Sequence, residues 1–313
     1  MWQSGRERSS AIRVGGLLLC SFPFLGTSCS LKQRAVNTLS EVLAESEAVY
    51  LSDEDPELVA EALPFNLKTI ESLLQSSPDH RGLLLSATTG FTFYAYGFIE
   101  PEADRIEDED FAQAEAIRDR AARLYWRAYR YGVHGLEVEH EGFGETLSID
   151  PEATVAQLTV EDVPLAVWTA AALGGAIGVS KDDPEATADI AVVGALLNRC
   201  LELDGDYGDG ILYELLVIYE SRRVGGSMET ARKYYQRALE LGQGRRCSTW
   251  LLWAENVSVS EQNRGEFQSL ISKVQSYDLD SHPENRLLNT LAQRRAQWLG
   301  GRVDELFLEG DLP

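Results

Sequence analysis

Ala121-Ala122-Arg123-Leu124-Tyr125-Trp126-Arg127-Ala128, running on to Gly132, and Ala231-Arg232-Lys233-Tyr234-Tyr235-Gln236-Arg237-Ala238, running on to Gly242, write one helical face twice. Aligned without a gap, Ala121/Ala231, Tyr125/Tyr235, Arg127/Arg237, Ala128/Ala238 and Gly132/Gly242 coincide. A third, partial copy lies between them: Arg199-Cys200-Leu201-Glu202-Leu203 reads against Arg237-Ala238-Leu239-Glu240-Leu241. Small residues seven apart fall on one stripe of a helix, two turns from each other, and a stripe without bulk lets a second helix come close. The repetition predicts stacked helical hairpins, a scaffold that implies binding rather than catalysis.

Outward from these copies the chain reads as helix after helix. Ala35, Leu39, Val42, Leu43 and Val49 suit an amphipathic first helix, and Pro56 opens a second at its first turn. Leu67 to Leu74 stops before Pro78, His80 to Phe98 is apolar along one side, and Phe111 to Tyr131 carries the first copy. Residues 132–160, with Gly132, Gly135, Gly142 and Gly144, break the pattern and read as an irregular excursion. Helical signal resumes at Pro164 and continues in segments to the C-terminal region, while strand signals are scarce. The expected fold is all-α, four or five hairpins of a tetratricopeptide-like array (an α-α superhelix) over residues 29–313. Val163–Val179 is apolar all round but short of the roughly 20 residues of a membrane span, so it reads as a helix enclosed by its neighbours.

Residues 1–28 read as a signal peptide to be left out of the fold. Arg6, Arg8 and Arg13 precede an apolar run from Val14 to Leu25, and the run ends in Gly26-Thr27-Ser28-Cys29. A small-small-Cys ending marks Cys29 as the lipidation site, with the lipid as membrane anchor. The chain of 313 residues carries 28 basic and 50 acidic side chains, net −22. No basic stripe is visible, so nucleic acid is excluded as a partner.

Candidate chemistry is thin. The His134 to Glu141 segment lacks the spacing that puts two imidazoles on one helical face, so no metal is expected there. Asp204 to Gly210 hints at a calcium loop, but Leu215 stands where the twelfth-position Glu belongs, and a turn with acidic helix capping is the better reading. No nucleophile elbow or phosphate-binding glycine loop occurs, so neither catalytic residues nor a cofactor are expected. Cys200 aligns with Ala128 and Ala238 and reads as a small core residue, with a Cys200–Cys247 disulfide left open. Aromatics are more informative: among the many on these helices, Tyr94, Phe98, Trp126, Trp168 and Trp253 are the candidates for lining an apolar cavity.

Over nearly all of the mature chain the sequence resembles the T-component lipoproteins of tripartite ATP-independent (TRAP) transporters. Leu124 to Gly132, Asp162 to Trp168, Ala188-Asp189-Ile190, Leu201 to Asp204, Ala231 to Glu240, and Asn285 to Gln293 with Ala296, Trp298 and Asp304 to Phe307 carry the likeness. Two departures are Gly26, where the lipidation motif usually has Leu, and Leu173, where a second aromatic is expected after Trp168. The resemblance implies a periplasmic homotrimer that binds a solute-binding P-component. It also implies that each protomer encloses an apolar passage for a hydrophobic small molecule. Ser30 after Cys29 favours the outer membrane. The alternative is a general helical scaffold for envelope assembly with no solute.

Overall fold

Among the described residues six helices begin on a side chain that caps them. Asp55, His80, Asp110, Asp150, Ser227 and Asn263 each accept a hydrogen bond from the backbone N–H three residues on, satisfying a donor that the first turn leaves free. The computed structural model describes residues 48–180 and 189–308, and among these there are helices and turns but no strand. The signal segment, Cys29 and the expected helix before Pro56 lie outside the described residues except for its last few positions.

The main elements are α1 (Pro56–Leu74), α2 (Arg81–Tyr94), α3 (Glu100–Ile106), α4 (Phe111–Glu137), α5 (Phe143–Leu147), α6 (Pro151–Val155) and α7 (Val163–Val179). They continue as α8 (Ile190–Leu203), α9 (Ile211–Arg222), α10 (Met228–Gly242), α11 (Ser248–Trp253), α12 (Arg264–Gln275), α13 (Arg286–Gly300) and α14 (Val303–Leu306). Consecutive helices pack as neighbours: α1 on α2, α2 and α3 on α4, α4 on α7, α7 on α8, and so on to α12 on α13. The all-α class expected from the sequence is what the chain adopts.

The two copies of the opening motif do the same job. Ala121, Tyr125, Ala128 and Gly132 are the buried stripe of α4, and Ala231, Tyr235, Ala238 and Gly242 that of α10. The shared arginines tie neighbouring elements: Arg127 reaches Glu71 of α1 at 2.5 Å, and Arg237 reaches Asp206 at 2.8 Å. Cys200 of the partial copy is buried against α7.

Residues 132–160 are more regular than expected. Helix α4 runs through Gly132 and Gly135 to Glu137, and α5 and α6 follow. The glycines are helical because α7 lies against them: a Cβ on Gly132 would stand 2.1 Å from the Thr169 hydroxyl, and one on Gly135 2.4 Å from Leu165 Cδ2. Periodicity reads glycine as a breaker, whereas here it is the contact surface. In return, α7 uses Gly175, where a Cβ would stand 2.5 Å from the Tyr125 ring. Helix α7 with its preceding turn is long and apolar enough to cross a membrane by composition, but α2, α4 and α8 cover much of it.

The array closes on itself. Helix α13 touches α1, and four arginines from the C-terminal end meet carboxylates from the N-terminal end. Arg294 grips Glu57 at 2.5 and 3.1 Å, Arg295 holds Asp104 at 2.7 Å, Arg286 reaches Glu54 at 3.4 Å and Arg302 pairs with Asp108.

Candidate functional site

Among the described residues two helices carry a π turn, in which one extra residue per turn shifts the side chains that follow. One, Ala95–Ile99, joins α2 to α3; the other, Ala254–Ser258, extends α11. Such turns are frequent at functional sites. Here the two are linked through Arg295, which pairs with Glu255 of the second turn and with Asp104 of the helix that follows the first.

The first turn presents Tyr96, with Glu100 directly after it. Tyr96 keeps 59% of its surface open, yet desolvation, reinforced by the charges of Glu255 and Glu100, drives its hydroxyl well above the usual phenol range. Burial likewise pushes Glu100 up to about 7, opposed by a hydrogen bond that the Tyr125 hydroxyl donates to its carboxylate and reinforced by the charge of Asp104. Burial and the proximity of Glu100 raise the Tyr125 hydroxyl in turn. The Tyr125 ring is seated against Gly175 of α7.

The second turn supplies Glu255 and Asn256. Asn256 donates from Nδ2 to the Leu252 carbonyl at 2.9 Å, which leaves its Oδ1 to accept from Arg222 Nε at 2.8 Å. Arg222, at the end of α9, has no ion pair among the described residues, although its charge bears on both Glu100 and Tyr125. Its guanidinium lies 3.6 Å from where a Gly178 Cβ would stand. Glu255 is neutralised by Arg295 of α13 at 2.5 Å, and Arg295 continues to Asp104. Five helices, α3, α4, α7, α9 and α13, and the two π turns contribute to this polar group.

The aromatics singled out in the sequence are dispersed. Tyr94 is buried, with Phe98 tilted against it at 6.0 Å and Arg120 over its ring. Trp126 is half-buried, edge-on to Tyr129, between two apolar clusters. Trp168 is half-buried on α7. Trp253 is 1% exposed and stacks on Tyr235 at 4.4 Å, deep between α10 and α11. Tyr94 immediately precedes the first π turn, Phe98 lies within it and Trp253 immediately precedes the second, without forming one cluster.

The remaining candidates resolve into structural bonds. His140 and Arg81 both bind buried Asp162, at 2.9 and 2.5 Å, and His134 pairs with Asp79. The Asp204–Gly210 segment is a turn with Gly208, Asp209 and Gly210 at positive φ; Asp206 is engaged by Arg237 and Asp209 by Arg245. Cys200 and Cys247 are free, buried thiols in separate apolar clusters, each pushed up to about 12 by burial.

Sequence reasoning missed Tyr96, Glu100, Arg222, Glu255 and Arg295. Their one local signal is Glu100 itself, the carboxylate that ends an otherwise apolar, aromatic run before Pro101.

Comparison with known proteins places this architecture. The chain is 27% identical to an uncharacterized protein of Treponema pallidum (strain Nichols), across 93% of this chain and 98% of that protein's length. A family model described as the TRAP transporter T-component matches residues 52–307. That span takes in the helices of the closed array, both π turns and the polar centre they frame, and the chain therefore belongs to the TRAP transporter T-component family.

Proposed function

We propose that the protein is a lipid-anchored accessory subunit on the periplasmic face of a bacterial membrane, the outer one, fixed there through Cys29. It docks a solute-binding P-component and assists the uptake of an organic solute. As a homotrimer it would present three such arrays to its partners. The observation that carries this reading is membership of the transporter T-component family by a chain built as a helical array whose two ends meet. Phe98, Trp126 and Trp168, each partly open, are assigned to the apolar part of the solute's path.

Family membership makes a transporter accessory the expected role and gives no support to catalysis. The test is affinity capture of the lipidated protein from periplasm in which the cognate solute-binding protein is overexpressed. Recovery of that protein in a fixed ratio supports the reading, and its absence from the eluate under those conditions overturns the docking claim. Sedimentation of the purified protein checks the trimer, and mass spectrometry of the mature N-terminus checks the lipid on Cys29.

A further inference from the structure

The outward side of α4 is a ridge of arginine. Arg120, Arg123, Arg127, Arg130 and His134 follow at intervals of three and four residues. At that spacing all five fall within about 80° of the helix circumference and extend along about 21 Å of its length. No run of basic residues marks this stripe in the sequence; helical spacing assembles it, on the side away from buried Ala121, Tyr125, Ala128 and Gly132. Arg127 shares Glu71 of α1 with Lys68, and His134 pairs with Asp79. Arg120, Arg123 and Arg130 are exposed and form no ion pair among the described residues, in a chain where 50 acidic side chains outnumber 28 basic ones. Elsewhere among the described residues, the lysines and arginines without an ion pair are Arg222 and Lys273. Asp119 and Glu137 stand at one edge of the ridge without pairing to it.

The shared Glu71 sets α1 beside α4, both packed on α2. One turn before Lys68, α1 holds Phe65 out to solvent, 79% exposed. At its far end the ridge borders an open groove lined by Tyr129, Arg130, Val133 and His134. Protein interfaces are enriched in arginine and aromatic residues, and an unpaired guanidinium can grip a carboxylate through two parallel hydrogen bonds. The chain as a whole, net −22, repels an extended polyanion such as a nucleic acid or an anionic lipid sheet. A partner protein with a local group of carboxylates is the occupant that fits.

We propose that the outer face of α4, with Phe65 beside it, is the surface that docks the solute-binding partner, and that Arg120, Arg123 and Arg130 grip carboxylates of that partner. This rests on reading the protein as the docking subunit for a P-component. What it adds is the surface and the sign of the charge that the partner presents to it.

The test immobilises the purified protein and follows binding of the cognate solute-binding protein by surface plasmon resonance at low and high salt. The wild type should bind, and more weakly as salt rises. Replacing Arg120, Arg123 and Arg130 together by Glu should weaken binding about tenfold or more, chiefly through slower association. Replacing Lys233, Arg237 and Arg264 of α10 and α12 by Glu changes the net charge by the same amount and should leave affinity within about twofold. Phe65→Ala should instead speed dissociation. Far-UV dichroism confirms that each variant is folded. Absence of binding by the wild type overturns the docking reading itself, whereas equal binding by the wild type and the ridge variant overturns the ridge alone. The ridge is also overturned as the partner's seat if its charge reversal abolishes self-association in sedimentation, which assigns the face to a second copy. The same holds if reversal abolishes a preference for phosphatidylglycerol over phosphatidylcholine vesicles, which assigns it to the membrane.

Discussion

Gly132 offers the sharpest test of how α4 and α7 pack. In an ordinary helix interior, Gly→Ala stabilises by roughly 1 kcal/mol, because alanine loses less backbone entropy. Here the new Cβ would stand 2.1 Å from Thr169 Oγ1, 3.0 Å from its Cβ and 3.2 Å from its Cγ2. Thr169 is fully buried and its hydroxyl is tied to the Leu165 carbonyl at 2.6 Å. Turning its side chain brings the methyl where the hydroxyl was, so the helices must part instead. The neighbouring Gly135–Leu165 approach, as tight, resists that movement. Overpacking costs about 1–3 kcal/mol, so after the propensity gain Gly132→Ala should destabilise by about 1 kcal/mol. Thr169→Ala removes both branches and by itself costs about 1 kcal/mol for the lost methyl. Together the two substitutions should be less harmful than their sum by about 1–2 kcal/mol. Gly265→Ala is the control: nothing lies within 4 Å of its Cβ position, and it should stabilise by about 0.5–1 kcal/mol. Urea unfolding reads all four variants as shifts in midpoint at constant slope. If Gly132→Ala moves the midpoint upward as Gly265→Ala does, or if the pair is additive, the close-contact account of these glycines is wrong.

Glu100→Gln tests the polar centre through pH. Because the folded pKa of Glu100 is raised from 4.5 to about 7, the folded state holds its proton more tightly than the unfolded chain. The stability it contributes is complete below about pH 4.5 and is lost as pH rises through 7. The variant should therefore exceed the wild type in stability at pH 8 by on the order of 2–3 kcal/mol, with the gap closing at low pH in thermal unfolding. Trp253→Ala should cost about 3–5 kcal/mol in urea, since its ring is buried in the stack on Tyr235. Cys200 and Cys247 should resist a thiol reagent in the native protein at pH 8 and both react in denaturant, read by mass spectrometry of the modified peptides.

The fold was legible because its rule is local. Ala121, Tyr125, Ala128 and Gly132 share a stripe through helix geometry alone, so their repetition in α10 announces the same packing before any partner is known. Gly132 and Gly135 misled for the opposite reason: their helical conformation is set by Thr169 and Leu165, some thirty residues away. The polar centre escaped notice on similar grounds. Glu100, Arg222 and Glu255 come from segments far apart in the chain, and each alone reads as a solvated charge. Only closure of the array makes them face one another. The aromatics drew attention by size, but size does not say which way a ring points, and Trp253 points into the core.

Closure itself can be judged by magnitude. No apolar cluster among the described residues spans the seam: one lies within residues 63–176, and another within 247–307. Across the seam the close apolar contact is slight, with Leu291 Cδ1 3.2 Å from where a Gly97 Cβ would stand. What joins the ends is charge, and three of the four pairs, those of Arg286, Arg294 and Arg302, have an exposed carboxylate. Exposed pairs are individually weak and weaken further in salt, so these three add little to closure. Arg295, half-buried between Asp104 and Glu255, is the exception; Arg295→Met would leave two carboxylates facing each other, at a cost of about 2–3 kcal/mol, short of that of a fully buried pair. The seam should accordingly open more readily than the hairpins unfold. Amide exchange should be fastest in α1 and α13 relative to α4 and α7, faster again in high salt, and fastest in Arg295→Met, with α4 and α7 unchanged in all three conditions. Uniform exchange across these helices, or a seam indifferent to salt, would mean that something other than these ion pairs closes the array.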